Sequence, residues 1–359
     1  MDAGVLQSLK KIIHIVGTRP NYVKAAPVIE EMRLRKYNQL CVNTGQHPDS
    51  VMSSDIISSL GMSPPDRSFS LKESDPFSRF GEIISNVAET IKTEEPGLVM
   101  VYGDVDSTLA AAWVAVRLGV PVAHVESGLR SFDRTMPEEN NRIMVDQLAS
   151  IHFVTEPAGS LNLLKEGYKE SIHVVGNTMI DSLKRLQDSM GLRKAVTNRI
   201  LLTCHRPSNV DDISFFNELY VACQGISLPI LWPIHPRTKK SLLMFNLYES
   251  FASIKHLSIV DPMDYATFLK EMSESAAVIT DSGGIQEETT YLNIPCLTIR
   301  KNTERPITIK EGSNTLVSVQ SLPSHIKSVE AGTYKSAKKI INWDGEASHR
   351  ICDTLEGLL

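Results

Sequence analysis

The stretch LVMVYGDVDSTLAAAWVAVRLGVPVAHV, Leu98–Val125, holds one complete strand–helix–strand unit. Its two apolar runs, Leu98–Val101 and Val120–Val125, are short enough to be buried strands. The segment between them, Thr108–Leu118, has the periodicity of a helix. A strand, a helix and a second strand in this order form a βαβ unit, whose strands pair in parallel. The unit therefore predicts an α/β fold with a parallel sheet.

The same alternation continues on both sides of this unit, in two series of apolar runs. The first series also contains Ile12–Val16 and Ile151–Val154, and the pattern pauses near Gly176–Asn177. The second series consists of further short runs with helical segments between them: Ile200–Thr203, Ile230–Ile234, Leu257–Val260, Ala277–Thr280 and Cys296–Thr298. Two such sheets predict two Rossmann-like domains that face a cleft, with ligands at the carboxyl ends of the strands.

The predicted domain boundaries follow from that pause. Residues 1–177 are expected to form the amino-terminal domain and residues 178–344 the carboxy-terminal one. A last helical segment, residues 345–359, is expected to pack back on the first domain. A length of 359 residues suits two domains of roughly 150–200 residues each.

The composition favours a soluble cytoplasmic protein. A formal net charge of −5 argues against a partner such as nucleic acid or an anionic membrane, because both attract basic surfaces. The opening stretch MDAGVLQSLKK is polar, and no run approaches the ~20 apolar residues of a membrane span. Five cysteines lie scattered without CxxC spacing, so neither a disulfide framework nor a metal site is expected.

The first candidate site is the segment GTRPNYVKAAP, Gly17–Pro27, directly after a predicted strand. Gly17 permits a tight turn and Pro20 begins a helix, so Arg19 lies near a helix N-terminus, where phosphate binds well. Lys24 follows about one turn into that helix. The alternative interpretation is an ordinary strand–helix turn with a solvated arginine and lysine.

Three acidic residues come from successive connections of the first domain: Asp104, Glu126 and Glu138. Their convergence predicts an acid–base site, because neighbouring carboxylates can be tuned to different pKa values. Each also has a structural alternative. Asp104 can belong to a helix cap, Glu126 can pair with a nearby arginine such as Arg130, and Glu138 can pair with Arg142 one turn later.

Histidines occupy matching positions after two strands of the second domain. His205 and Arg206 come directly after its first predicted strand, and His235 follows the next one. A single histidine at such a position is more often structural than catalytic. The adjacent Arg206 makes a functional site at His205 easier to support than a single histidine would.

The turn Ser282–Gly284, between a predicted strand and a helix, indicates a phosphate site. Glycines let the backbone approach the anion, and the free N–H groups of the helix start point at it. Glu287 or Glu288 in the next turn can bind ribose hydroxyls, and Arg305 follows the next strand. The alternative is that these glutamates only stabilise a helix N-terminus.

Together these segments resemble the non-hydrolysing UDP-N-acetylglucosamine 2-epimerase family. The resemblance runs in order from about Ile12 to Val317. It rests on the stretches GTRPNYVKAAP, TGQH, YGDVDSTLAA, HVESGLRSFDRTMPEENNR, VGNTMID, LLTCHRPSNVDD, PIHPRT and TDSGGIQEETTYLNIPCLTIRKNTERP. Any one of them is weakly diagnostic, whereas the collinear set is highly specific.

This resemblance implies the GT-B fold, an active site between the two domains and a homodimer. It implies reversible inversion at C2 between UDP-GlcNAc and UDP-ManNAc. A base removes the C2 proton, UDP leaves C1, and UDP adds back to enzyme-bound 2-acetamidoglucal after protonation on the opposite face. Neither a metal nor a redox cofactor is implied.

The family pattern also assigns roles to individual positions. The diphosphate would contact Arg19, Ser282, Gly283 and Gly284. Glu288 would bind the ribose, and Phe268 would lie near the uracil. The residues that would line the sugar side are Lys24, Asp104, Glu126, Glu138, Arg142, His205 and Arg305. Of these, the lysine, the three acids and the histidine are the predicted catalytic residues.

Two positions depart from the family pattern. Asn21 stands where many members have Glu, and Pro48 follows His47 where Tyr or Arg is more usual. In some bacterial members a second UDP-GlcNAc binds as an activator, partly through the positions matching Gln46 and His47. The stretch Leu71–Arg79 does not match the rest of that site, which disfavours activation here.

Several other functions compete with this one. A sister enzyme would act on another UDP-sugar, such as a diacetamido uronic acid, and such relatives usually carry QKE and TEW where this chain has QEE and TERP. A hydrolysing epimerase would be expected to open with a motif other than GTRP. A glycosyltransferase of the same fold needs an acceptor pocket, and nothing in the sequence indicates one. Loss of Asp104, Glu126, Glu138 or His205 would indicate a catalytically silent UDP-sugar sensor, and all four residues are present.

Overall fold

The computed structural model describes residues 11–46, 57–73, 75–192 and 197–358. Contacts divide the chain into two compact units. The first contains the chain up to Leu186 together with Ile341–Leu359, and the second is Gln187–Ile340. Each unit is an α/β layer structure built on its own parallel sheet, so the two Rossmann-like folds expected from the alternation of strands and helices are confirmed.

The sheet of the first unit has seven parallel strands in the order β3-β2-β1-β4-β5-β6-β7. The strands are β1 Ile12–Val16, β2 Gln39–Asn43, β3 Arg67–Ser68, β4 Leu98–Tyr102, β5 Val122–Ser127, β6 Ile151–Val154 and β7 Ile172–Val174. The central strands β1, β4, β5 and β6 are buried along their whole length. Burial on both faces explains their nearly continuous apolar sequences.

Helices connect these strands, and the core forms where they cover the sheet. The helices of the first unit are α1 Arg19–Leu34, α2 Pro76–Glu94, α3 Asp106–Arg117, α4 Pro137–Leu148, α5 Pro157–Lys165, α6 Thr178–Met190 and α15 Ala347–Leu358. Alanines of α3, Ala110, Ala111 and Ala112, are fully buried and belong to the same apolar cluster as the sheet residues Val99 and Val101. Small side chains on this helix permit close packing on the strands.

The sheet of the second unit has six parallel strands in the order β10-β9-β8-β11-β12-β13. They are β8 Ile200–Thr203, β9 Ile230–Pro233, β10 Leu257–Val260, β11 Ala277–Thr280, β12 Cys296–Thr298 and β13 Asn314–Leu316. Its helices are α7 Pro207–Val210, α8 Ile213–Gln224, α9 Pro236–Met244, α10 Tyr248–Ala252, α11 Tyr265–Ser273, α12 Gly283–Tyr291, α13 Pro306–Lys310 and α14 Leu322–Glu330. Trp232, Phe216 and Phe251 stack edge to face in its core.

Strand order reverses once in each sheet, between β1 and β4 in the first and between β8 and β11 in the second. Loops that leave adjacent strands at such a point run in opposite directions and open a crevice at the carboxyl edge of the sheet. The segments after these four strands are therefore the places where each unit is built to bind a ligand.

The domain boundary lies later in the chain than expected, within α6 rather than before it. Ser182 of this helix donates to the carbonyl oxygen of Val23 in α1 at 2.6 Å. Asp181 accepts from the backbone N–H groups of Ala347 and Ser348 at the start of α15. The helix therefore belongs to the first unit through most of its length, and the expected division between residues 177 and 178 is corrected to 186 and 187.

One predicted strand is also displaced. The run Val120–Val125 was expected to be a strand, but β5 spans Val122–Ser127. The N–H of Val120 donates instead to the carbonyl oxygen of Ala115, which closes the end of α3.

The helix α15 packs on α1 and completes the first unit. Tyr37, just after α1, donates to the carbonyl oxygen of Cys352, and Arg35 pairs with Asp353 and Glu356. All five cysteines are buried free thiols. Among the helices described, none is both long and apolar enough to cross a membrane.

Candidate active site

The turn between β1 and α1 is fixed by glycine and asparagine. A Cβ on Gly17 would lie 2.3 Å from Ser107 Oγ and 2.5 Å from Thr44 Oγ1, so no side chain fits there. Asn21 accepts from the N–H groups of Gly17 and Thr18 and donates to the carbonyl oxygen of Tyr102 at 2.8 Å. Asn21 thus ties the turn to the end of β4, which gives this departure from the family pattern a structural role.

Arg19 is the first residue of α1 and is half-buried at that turn. Gln46, at the end of the neighbouring loop, accepts from the N–H and hydroxyl groups of Ser107 at the start of α3. His47 and Pro48 lie outside the described residues.

Lys24 and Glu126 form a buried ion pair. The sequence left a nearby arginine as the structural partner of Glu126, but this lysine from α1 takes that place, and Arg130 pairs with Asp146 and Glu166 instead. A buried carboxylate and ammonium need each other, because either alone would lose its hydration without compensation.

Glu126 also has a strained backbone. Its φ is +76°, a value that non-glycine residues rarely adopt. The pairing of β5 with β6 shifts register between Val125 and Ser127, so Glu126 is the extra residue of a bulge. Strain of this kind persists where the surroundings force a side chain into a particular direction, and it clusters at functional sites. The bulge aims Glu126 at Lys24 rather than along the regular alternation of the strand.

Gly103 provides the room for this pair. A Cβ on Gly103 would lie 2.8 Å from Lys24 Nζ and 3.1 Å from Glu126 Oε2, and its φ is +64°. The turn after β4 therefore passes directly beside the two charged groups. The next residue in that turn is Asp104.

Asp104 pairs with Arg142 of α4, whose Nε lies 3.2 Å from Asp104 Oδ2. Asn141 donates to the Asp104 carbonyl oxygen at 3.0 Å and to Asp106 Oδ1 at 2.9 Å. Two consecutive residues of α4 thus hold the turn after β4. The structure brings Asp104, Arg142, Glu126 and Lys24 together at the carboxyl edge of this sheet.

The two glutamates at the start of α4 have different surroundings. Glu139 is fully buried and accepts from the N–H and hydroxyl groups of Ser131, from Phe132 N–H, and from Arg142. Glu138 is half-buried and makes no hydrogen bond or ion pair with another residue of the described ranges. The pair between Glu138 and Arg142 that the helical spacing allowed is therefore not formed. Glu138 keeps its carboxylate available.

In the second unit, Asp281 organises the turn after β8. This residue directly follows β11 and is fully buried. Its carboxylate accepts from the N–H of His205 at 3.0 Å, from the N–H of Arg206 at 2.9 Å and from Asn209 Nδ2 at 3.1 Å. The sequence analysis assigned Asp281 no role, although its position after a buried strand was the signal.

The imidazole of His205 is part-buried beside the same carboxylate. Burial lowers the pKa of His205, and the negative charge of Asp281 acts in the opposite direction. The ring lies 5.2 Å from that of His235, centroid to centroid. His235 itself caps α9, because its Nδ1 accepts from the N–H of Arg237. For His235 the structural interpretation therefore has direct support.

The helix α12 begins at Gly283, after Ser282 as its N-cap. A Cβ on Gly283 would lie 2.7 Å from Glu304 Oε1 and 2.8 Å from Arg305 Nη1. A side chain at this position would displace the charged ends of Glu304 and Arg305, which lie over the start of the helix. The first N–H groups of α12, including those of Gly283 and Gly284, are those that a helix leaves without intrahelical partners.

Buried charges surround that helix start. Arg305 Nε lies 2.8 Å from Glu287 Oε2, and Arg305 also pairs with Glu304. Arg300 Nη2 lies 2.8 Å from the other oxygen of Glu304. Burial lowers the pKa of Arg300. The cations are thus fixed by carboxylates on neighbouring segments, in an orientation that needs no rearrangement.

Glu288 differs from Glu287 in its partner. Its Oε1 accepts from the hydroxyl of Tyr265 at 2.6 Å. Tyr265 begins α11, and Phe268 lies half-buried one turn further along that helix. The sequence left Glu287 and Glu288 as alternatives for the ribose, and the structure separates them because Glu287 holds Arg305.

No group of three or more histidine, cysteine, aspartate or glutamate side chains suited to a metal ion occurs in the described parts of the chain. The charged groups that do converge are pairs of acids with lysine or arginine. The arrangement suits proton transfer and anion binding.

Comparison with known proteins shows the same class of fold. Two Rossmann-like units with charged clusters where their strand order reverses define a GT-B-like enzyme. A family model described as UDP-N-acetylglucosamine 2-epimerase matches residues 31–356. The chain belongs to this family of isomerases.

Individual relatives cover nearly the whole chain. A UDP-N-acetylglucosamine 2-epimerase of Methanococcus maripaludis is 36% identical over 321 residues, 85% of this chain and 87% of the relative. A UDP-2,3-diacetamido-2,3-dideoxy-D-glucuronate 2-epimerase of Pseudomonas aeruginosa is 34% identical over 97% of this chain and 100% of the relative. The crystal structure of Methanocaldococcus jannaschii UDP-GlcNAc 2-epimerase in complex with UDP-GlcNAc and UDP has a TM-score of 0.88 at 34% identity, covering 97% of this chain and 99% of that one.

Proposed function

We propose that this protein interconverts UDP-GlcNAc and UDP-ManNAc by inversion at C2, without hydrolysis. The observation that carries the proposal is the buried Lys24–Glu126 pair on a strained bulge, beside Asp104 and its partner Arg142. A binding protein gains nothing from holding an acid in a strained backbone conformation, whereas an enzyme gains a fixed proton acceptor or donor.

The second unit binds the nucleotide in this proposal. The diphosphate lies at the start of α12, against Ser282, Gly283 and Gly284. Arg19, the first residue of α1, is the phosphate-binding residue that we assign to the first unit. Glu288 accepts hydrogen bonds from the ribose hydroxyls, and Phe268 packs near the uracil. The hydrogen bond from the Tyr265 hydroxyl fixes the orientation of the Glu288 carboxylate, which supports its role in binding the ribose.

The reaction at the sugar proceeds by elimination and re-addition. A carboxylate takes the C2 proton, the C–H electron pair forms the C1–C2 double bond, and UDP leaves with the electron pair of the C1–O bond. Reversal with protonation on the opposite face gives the other epimer. We assign the proton transfers to Asp104, Glu126 and Glu138, and the stabilisation of the departing diphosphate to Arg305 and His205.

The alternative substrate is a UDP-diacetamido uronic acid, as in the Pseudomonas aeruginosa relative. Against it stands the ion pair between Glu287 and Arg305. A lysine at position 287 and a tryptophan at 305, as in QKE and TEW, would remove both partners. The presence of the Glu287–Arg305 ion pair therefore supports UDP-GlcNAc as the substrate.

The test is proton NMR of the purified protein with UDP-GlcNAc in D₂O. We expect UDP-ManNAc to appear and deuterium to enter C2 of both epimers. Free ManNAc with UDP would instead show a hydrolysing enzyme. An unchanged spectrum, together with turnover of the UDP-diacetamido uronic acid in a parallel sample, would reject UDP-GlcNAc as the substrate.

We also propose that the protein forms a homodimer through α3 and α4 and acts in the cytoplasm. Trp113 and Val116 of α3 and Met144 of α4 are exposed apolar side chains on two helices that pack together. Neighbouring exposed apolar groups of this kind mark interaction surfaces. Buried free thiols at all five cysteines suit a reducing compartment.

Sedimentation velocity tests the dimer. We expect the wild type to sediment as a dimer and Trp113→Glu as a monomer. Leu243→Glu, a matched change at an exposed leucine of the second unit, should leave the dimer intact. A monomeric wild type at micromolar concentration would contradict this proposal.

A further inference from the structure

His124 lies directly beneath the turn that carries Asp104. It belongs to β5 and is fully buried. Its Nε2 is 2.8 Å from the carbonyl oxygen of Gly103. A carbonyl oxygen only accepts hydrogen bonds, so Nε2 carries a proton and donates it. The His124 imidazole therefore fixes the peptide group between Gly103 and Asp104 by a hydrogen bond.

The other ring nitrogen of His124 faces Asp146 of α4. Nδ1 lies 2.6 Å from Asp146 Oδ1, and Asp146 is fully buried. Burial alone would raise the pKa of Asp146, but the charges of His124 and Arg130 hold it well below its usual range. The imidazole of His124 thus bridges the Gly103 carbonyl oxygen and the Asp146 carboxylate.

Asp146 also holds the segment that follows Glu126. Its Oδ1 accepts from Ser127 Oγ at 2.6 Å, and its Oδ2 accepts from the N–H of Gly128 at 3.0 Å. Arg130 Nη1 lies 2.7 Å from the same Oδ2. One buried carboxylate thus fixes the backbone on the carboxyl side of the bulge.

These contacts join the two strand ends that present the acids. The path runs from Gly103 through His124 to Asp146, and from there to Ser127 and Gly128. Asp104 is the next residue after Gly103, and Glu126 is the residue before Ser127. The separation of the two carboxylates is set by this path in addition to the sheet itself.

We propose that His124 and Asp146 are positioning residues, which set the distance and orientation of Asp104 relative to Glu126. This proposal rests on the proposed epimerase function, because the distance between the two acids matters only if both transfer protons at the sugar. Both residues are fully buried, so neither is assigned a contact with the substrate. A shift of about 1 Å in such a pair costs on the order of 100-fold in rate.

Three variants test this proposal: His124→Leu, His124→Gln and Asp146→Asn. We expect His124→Leu to lower kcat by about 100-fold with KM within about threefold of the wild type. His124→Gln should recover at least tenfold of that loss, since its amide can still donate to the Gly103 carbonyl oxygen. Asp146→Asn should also lower kcat more than it raises KM.

His14→Leu is the matched control. His14 is another fully buried histidine of the same sheet, bonded to Tyr102 and Gln39 rather than to the Gly103 turn. It should lose stability while its kcat stays within about threefold of the wild type, since its imidazole does not hold either acid. If His124→Leu matches His14→Leu in kcat, or His124→Gln is no better than His124→Leu, the proposal is overturned.

Hydrogen–deuterium exchange of the free protein separates this proposal from the epimerase function. The N–H of Gly103 is bonded to the Val125 carbonyl oxygen, and that of Gly128 to Asp146. Both should exchange faster in His124→Leu and in Asp146→Asn than in the wild type and in His14→Leu. Unchanged exchange at both amides would refute the network even in an active enzyme. A wild type inactive on UDP-GlcNAc with these accelerated exchanges would refute the substrate alone.

Discussion

Gly103 is the residue at which the space around the acids is tightest. An alanine Cβ there would lie 2.8 Å from Lys24 Nζ, and the φ of +64° adds a backbone penalty of about 1–2 kcal/mol. We expect Gly103→Ala to lower kcat by at least tenfold, because the Lys24–Glu126 pair must move. Steady-state kinetics on UDP-GlcNAc measures this effect.

Gly119 provides the control for that change. Its φ is +74°, but a Cβ there meets nothing within 4 Å. Gly119→Ala should therefore lose a similar free energy of unfolding while turnover stays at the wild-type level. Equal losses of kcat in the two variants would show that general destabilisation, and not crowding of the ion pair, is responsible.

Glu138 and Glu139 give a second prediction at the residue scale. Glu138→Gln removes a carboxylate without a partner in the described structure, so it should cost little stability while lowering kcat by about 100-fold. Glu139→Gln weakens several buried hydrogen bonds and should lower the free energy of unfolding by about 1–3 kcal/mol.

Urea unfolding and kinetics on the same two preparations decide between these roles. A stable, fully active Glu138→Gln would remove that residue from the acid–base assignment. The expected loss of stability in Glu139→Gln serves as the positive control, because it shows that urea unfolding detects the loss of a structural glutamate.

Sequence identified which acids come after strands but not how they are partnered. Asp104 and Glu126 were predicted because a charged residue follows a buried apolar run in each case. Their partners Arg142 and Lys24 come from distant segments, so the pairing depends on how α1 and α4 lie on the sheet. Asp281 also follows a buried strand, but its role was not predicted, because its partners are backbone N–H groups of a distant segment.

At the scale of elements, Asp181 of α6 caps α15. It accepts from the N–H of Ala347 at 3.1 Å and from the N–H of Ser348 at 2.7 Å. Asp181→Ala should lower the free energy of unfolding by about 1–2 kcal/mol, since both N–H groups lose their acceptor in a buried place. Hydrogen exchange across residues 347–358 should accelerate, with kcat unchanged.

Asp212 supplies a matched cap in the second unit, where it accepts from the N–H of Ser214 in an exposed setting. Asp212→Ala should leave exchange in residues 347–358 at the wild-type rate. If Asp181→Ala also leaves that exchange unaltered, the cap does not hold α15.

Strand prediction was most reliable for fully buried strands, although β10, in which only Leu257 is buried, also has the predicted bounds. β1, β6, β8 and β11 have the predicted bounds, and all four are buried throughout. β2 and β7 were not predicted. Both are only partly buried, so their sequences, QLCVN and IHV, lack a continuous apolar run. β7 is an edge strand, and β2 lies beside the two-residue edge strand β3, so neither is covered along its whole length as the central strands are.

At the scale of the whole molecule, stability should depend on pH through His14. Its Nε2 donates to Gln39 Oε1, and its Nδ1 accepts from the Tyr102 hydroxyl, so the neutral ring is fully bonded. Burial lowers the pKa of His14 to about 4 from 6.5. Between these values the unfolded chain binds more protons than the folded one, so the stability due to the neutral ring is present above pH 6.5 and is lost as pH falls towards 4.

The expected loss over that range is about 3 kcal/mol. Urea unfolding of the wild type and of His14→Gln at pH 7 and at pH 4.5 measures it. The difference in free energy between the two proteins should shrink at the lower pH. A difference that stays constant across both pH values would show that His14 titrates in the same way in the folded and unfolded chain.

Because α15 belongs to the first unit, that unit cannot be completed until the end of the chain has been translated. All of the second unit, Gln187–Ile340, is translated before that helix. At an elongation rate of about 5–20 residues per second, the first unit waits roughly 10–30 s for its last segment. During that interval the face of α1 that α15 covers is open to water and to chaperones. The first unit is thus translated first but completed last, and α1 stays exposed until α15 has been made.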